Sequence, residues 1–110
     1  MNTKLIEAVK KQLSDSPADA DDLLYEISQH LDASAGWPGF TYYTDTCKFY
    51  DENHEEIWEA LSEDADMQGC TPMELIASFG CVNSIIDDQR FKNALAWYAL
   101  EAVALDYDNR

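Results

Sequence analysis

The chain has 110 residues, 46% of them hydrophobic, which suffices for one domain that closes a core without disulfide or metal staples. Its 22 Asp and Glu against 7 Lys and Arg leave a net charge of −15. A field of that sign argues against nucleic acid, anionic membranes and acidic substrates as direct ligands, and favours basic surfaces, polyamines, metal cations or basic peptides. Three cysteines, Cys47, Cys70 and Cys81, form no CxxC pair, and "MNTKLIEAVKKQL" reads as an amphipathic start rather than a signal peptide. No apolar run approaches the roughly 18 residues of a membrane span. The expected setting is the reducing cytosol.

Leu5, Ile6, Val9 and Leu13 recur at helical spacing, with Lys10 and Lys11 near the end where the helix dipole favours cations. "SPAD" then offers Ser16 as a cap, Pro17 at the first helical position and Asp19 in the first turn, before a stripe of Leu23, Leu24, Ile27 and Leu31. The second helix is expected to run to about Asp32. After a Gly-Trp-Pro-Gly break, Thr44 can cap a short segment carrying Phe49 and Tyr50, and Asn53 with Glu56 resembles a capping-box restart. Ile57, Trp58, Leu61 and Ala65 supply the inner face that follows. Gly69 stands where a helix C-terminal glycine belongs, and "TPME" sets Thr71 as cap, Pro72 at the first position and Glu74 reaching back. Leu75, Ile76 and Phe79 make the next apolar face, Gly80 ends it, and Val82, Ile85 and Ile86 lead to a last helix opened by Asp87 or Asp88. Along that helix Phe91, Leu95, Tyr98, Ala102 and Leu105 repeat on one side, widened by Trp97 and Leu100, so it is expected at the centre. With no period-2 strand pattern and no repeat, the chain reads as all-α: a single compact domain of five or six helices, divided into a helix pair (1–32), an aromatic Gly-Pro loop (34–44) and a helical core (45–108).

In the loop, Pro38 pushes its predecessor out of helical geometry, while Gly36 and Gly39 permit backbone angles closed to other residues. Trp37 and Phe40 are expected to fold inward and dock the second helix on the middle ones, at about 2 to 3 kcal/mol each. The other reading makes Trp37, Tyr42 and Tyr43 an exposed hot spot, since aromatic residues concentrate binding energy at interfaces. The stretches "GWPGFTYYTDTCKFYDENHEEIW", "LIASFG" and "DDQRFKNALAWYALEAVA", within roughly residues 34 to 105, resemble a largely uncharacterised family of small acidic proteins encoded by phages, plasmids and integrative elements. The resemblance implies a mobile-element setting, where anti-CRISPR and antirestriction proteins are common. It carries over no catalytic residue.

Between Lys48 and Arg90 there is no basic residue. Glu52, Glu55, Glu59, Glu63 and Asp66 fall at steps of three or four, opposite Ile57, Leu61 and Ala65, with Glu56 and Asp64 beside them. At about 1.5 Å rise per residue such a row carries a charge about every 5 Å, and its two neighbours bring it nearer the spacing of about 3.4 Å in a nucleic-acid strand. A solvated helix of any acidic protein also shows an acidic row opposite an apolar one. Interspersed lysines would ordinarily relieve the repulsion, and they are missing here.

Other chemistry finds less support. "DADMQGCTPMEL" places Asp64, Asp66, Gln68 and Gly69 like the start of a calcium loop, but Leu75 stands at its last ligand position and Pro72 interrupts it. His30, His54 and the cysteines lack the short-spacing pairs of a zinc site or a Cys-His nucleophile. No catalytic residue, metal or cofactor is therefore assigned. The expected function is that of a non-enzymatic acidic interaction protein of a mobile element, mimicking nucleic acid on a basic, nucleic-acid-binding host defence complex. The expected contacts are Glu52, Glu55, Glu56, Glu59, Glu63, Asp64 and Asp66, with Trp37, Tyr42 and Tyr43. The alternative is a small binding or regulatory module that uses its aromatic surface, as a homodimer if Trp97 and Tyr98 lie outside the core.

Overall fold

In the computed structural model, which describes residues 3–30, 36–77 and 88–108, the described residues form five helices: α1 (Thr3–Leu13), α2 (Pro17–Gln29), α3 (Tyr43–Gln68), α4 (Pro72–Ala77) and α5 (Asp88–Asp108). The expected roles of Leu31, Phe79, Gly80, Cys81, Val82, Ile85, Ile86 and Asp87 fall outside these residues. The all-α single domain is as the sequence suggests. Leu5, Val9 and Leu13 bury one stripe of α1, and Ala20, Leu24 and Ile27 one stripe of α2. Leu23 is only half-buried.

Several local details depart from expectation. Ser16 has the extended geometry of a cap (φ −101°, ψ 120°), but its side chain makes no capping bond; its N–H donates instead to Ser14 Oγ at 3.1 Å. Helix α2 stops at Gln29, because the His30 N–H turns back to the Ile27 carbonyl and His30 leaves helical angles (φ −134°, ψ 45°). The expected short segment and restart are one element, α3. It begins one residue ahead of Thr44, with the Asp45 carboxylate accepting from the Tyr42 N–H at 3.3 Å.

The end of α3 is built as its residues require. Gly69 adopts the left-handed conformation (φ 74°, ψ 29°), its N–H reaches the Asp66 carbonyl, and the Cys70 N–H reaches the Ala65 carbonyl at 3.0 Å. That is a Schellman motif. The next turn is closed reciprocally: the Glu74 N–H donates to Thr71 Oγ1 at 3.2 Å and the Thr71 N–H to Glu74 Oε1 at 3.4 Å.

Helix α5 packs against all four other helices and carries much of the core, burying Ala94, Leu95, Ala96, Tyr98, Ala99, Leu100, Val103 and Ala104. The alanines let neighbouring helices approach closely on several sides. The single stripe expected on α5 does not hold to its end. Ala102 is half-buried and Leu105 is 43% exposed, because a seven-residue repeat drifts about 20° per heptad around a straight helix and Val103 and Ala104 take over the inward direction. Near the same end, Tyr107 ties three helices together. Its hydroxyl donates to Asp21 Oδ1 at 2.5 Å, Asp21 pairs with Lys10 at 3.0 Å, and the Lys10 ammonium lies 5.0 Å from the Tyr107 ring centre. These bonds from Tyr107 and Asp21 raise the Lys10 pKa against the opposing effect of burial.

Candidate partner-binding surface

The aromatic joint divides into a buried and an exposed part. Phe40 is buried, its ring 5.1 Å from Phe49 and 6.3 Å edge-on from Trp97. Trp37 is half-buried against the same core, while its carbonyl accepts from the Phe40 N–H and the Thr41 hydroxyl. Gly39 has φ +80° and lies so close to α1 that a Cβ there would stand 1.9 Å from the Gln12 carbonyl oxygen; in return Gln12 Nε2 donates to the Gly39 carbonyl at 3.0 Å. The joint is thus locked to α1 by a contact that glycine alone permits. Beyond it, Tyr42 is 70% and Tyr43 45% exposed. The inward reading holds for Phe40, Trp37 is only half-buried against the core, and the two tyrosines face solvent.

Asn53 bends α3 with non-helical angles (φ −132°, ψ 20°), and its side-chain amide donates to the Phe49 carbonyl at 3.0 Å. The bend is braced from outside. Trp58 Nε1 donates to the Tyr50 hydroxyl at 2.9 Å across it, Lys92 of α5 pairs with Asp51 at 2.8 Å, and the Trp58 ring meets Phe91 at 6.1 Å. Capping chemistry at Asn53 was legible as a break, but these tertiary contacts carry the helix through it.

The bend reshapes the acidic row. Glu55, Glu59, Glu63 and Asp66 lie beyond it, all exposed, on the side away from buried Ile57, Leu61 and Ala65. Glu52, also exposed, lies before it and lines a groove of about 350 Å³ together with Lys11 and Lys48. Glu56 is half-buried. Asp64 is half-buried too and accepts a hydrogen bond from the Tyr98 hydroxyl on α5. Burial first, and then that carboxylate, push the Tyr98 pKa well above the ordinary phenol range, so Tyr98 stays a donor. Of the seven acids expected to act together, five are exposed, and four of these lie beyond the bend. The structure adds Met67, 85% exposed and one helical turn beyond Glu63. Its position off the Ile57-Leu61-Ala65 face was the signal that could have found it.

The sequence matches a family described as a domain of unknown function, DUF7222, over residues 4–110. The chain belongs to the DUF7222 family. The match takes in the N-terminal helix pair together with the core. No curated protein and no solved structure matches the chain. Within this DUF7222 protein the calcium-like stretch is the end of α3, the Schellman turn and a cap that occupies Glu74. Among the described residues no group of three His, Cys, Asp or Glu is placed to hold a metal ion, and no helix is long and apolar enough to cross a membrane.

Proposed function

We propose that this DUF7222 protein is a non-enzymatic interaction protein that presents the outer face of α3 to a basic, nucleic-acid-binding surface in place of a phosphate track. The observation that carries this reading is the exposed set Glu55, Glu59, Glu63 and Asp66 on one braced helix, in a chain without lysine or arginine between Lys48 and Arg90. A rigid row of carboxylates meets a cationic channel without the ordering cost of a flexible acidic tail. The resemblance to mobile-element proteins makes a host nucleic-acid-targeting defence complex, of the kind that anti-CRISPR and antirestriction proteins block, the target within this reading, in the bacterial cytoplasm.

The test is competition. A CRISPR effector or restriction complex recovered with the protein should lose labelled nucleic acid as the protein is added, and raising salt should weaken the interaction steeply. The triple variant Glu55→Lys/Glu59→Lys/Glu63→Lys, with its helical content verified, should lose at least tenfold in affinity. Unchanged affinity would sink the proposal.

A second reading rests on the exposed Tyr42 and Tyr43 at the start of α3. If they anchor a protein partner, Tyr42→Ser/Tyr43→Ser abolishes binding and salt has little effect.

A further inference from the structure

A second concave feature lies between α1, α2 and the joint, away from the α3 row. It is a groove of about 410 Å³ whose apolar lining comes from Leu13, Leu23 and Pro38 and whose acidic lining comes from Asp19, Asp22 and Glu26. Ser14 also lines it, and none of the described lining residues is lysine or arginine. The three carboxylates are exposed and occupy positions i, i+3 and i+7 of α2, hence one side of that helix, with successive rises of about 4.5 and 6 Å along the axis. By contrast Asp21, on the same helix, is held by Lys10 and Tyr107.

We propose that this groove binds a linear polyamine, its methylene arms on Leu23 and Pro38 over the buried Leu13 and its ammonium groups on Asp19, Asp22 and Glu26. A compact divalent cation could use the carboxylates but not the apolar surface, and an apolar ligand the reverse. A polyamine alternates the two chemistries over short distances, as the groove does. Ammonium groups on flexible aliphatic stems are suited to carboxylates beside apolar surface. The strongly negative field of the whole chain raises the local concentration of any such cation.

The experiment is calorimetric titration of the whole protein at low ionic strength with spermidine, putrescine and Mg²⁺ in parallel. Spermidine is expected to bind one site at least tenfold more tightly than Mg²⁺. That site should weaken at least tenfold in Asp22→Asn/Glu26→Gln, and less than twofold in Glu59→Gln/Glu63→Gln, which removes equal charge from α3. Circular dichroism verifies both variants, whose substitutions lie at exposed positions. Equal loss in the two variants, or equal affinity for spermidine and Mg²⁺, would show that net charge alone draws the cation and would overturn the proposal. A failure here leaves the α3 reading untouched, because the two surfaces share no residue.

Discussion

Two residues show how differently a single side chain can matter. Tyr98 is buried on α5 and donates to Asp64 on α3, so Tyr98→Phe removes a charge-assisted bond at a cost of about 1 to 2 kcal/mol near neutral pH. Its phenol holds its proton in the folded chain and loses it more readily in the unfolded one. Stability therefore falls as pH rises above the ordinary value of 10.0, and Lys10, with a raised pKa of its own, adds to the fall above 10.5. Urea titrations at pH 7 and above pH 10 should show a shallower alkaline decline in Tyr98→Phe than in the parent. The two left-handed glycines make a second pair. A Cβ at Gly69 meets nothing within 4 Å, so Gly69→Ala bears only the conformational cost of about 1 to 2 kcal/mol. At Gly39 the same angle is joined by a clash with Gln12, and Gly39→Ala should lose about 3 kcal/mol or more, read from thermal melts of both variants.

Among the elements, those with strictly local causes were the legible ones. The stripe of α1, Pro17 opening α2, Gly69 closing α3 and the Thr71-Glu74 box all act within a few residues, and each stands where its chemistry put it. Disrupting the box by Thr71→Ala should destabilise by about 1 kcal/mol, measurable by urea denaturation, and should open α4 to hydrogen exchange before the rest. What lay hidden depends on partners far along the chain. Asn53 looked like a start because its side chain favours breaks, and it does bend α3, but Trp58, Tyr50 and Lys92 hold the two halves as one helix. Asp64 read as one more outward acid because Tyr98, 34 residues later, is invisible to any local pattern. Glu52 likewise looked continuous with its neighbours, but it shares a groove with Lys11 of α1, a distant partner, as well as with Lys48 one turn earlier on α3. The four acids that stay together follow the bend and lie on the long uninterrupted half of α3, where helical periodicity is a sound guide.

For the whole molecule, the net charge of −15 means that the folded state works against its own field. Raising NaCl from about 0.02 to 0.2 M shortens the screening length more than twofold and should raise stability by about 1 kcal/mol, or about 4 °C in Tm. The same salt should weaken capture by a basic partner, so stability and binding move in opposite directions. A module bound through Tyr42 and Tyr43 would show only the first effect.

The central place of α5 also bears on how the chain comes to be folded at all. During synthesis α1 to α4 emerge before the helix on which all of them pack, so until that segment leaves the ribosome α1 has only α2 and α3, and α4 only α3, to pack against. The two most extensive packings in the fold, of α3 and of α2 on α5, therefore form last. Over that interval the dense negative charge keeps the nascent chains apart.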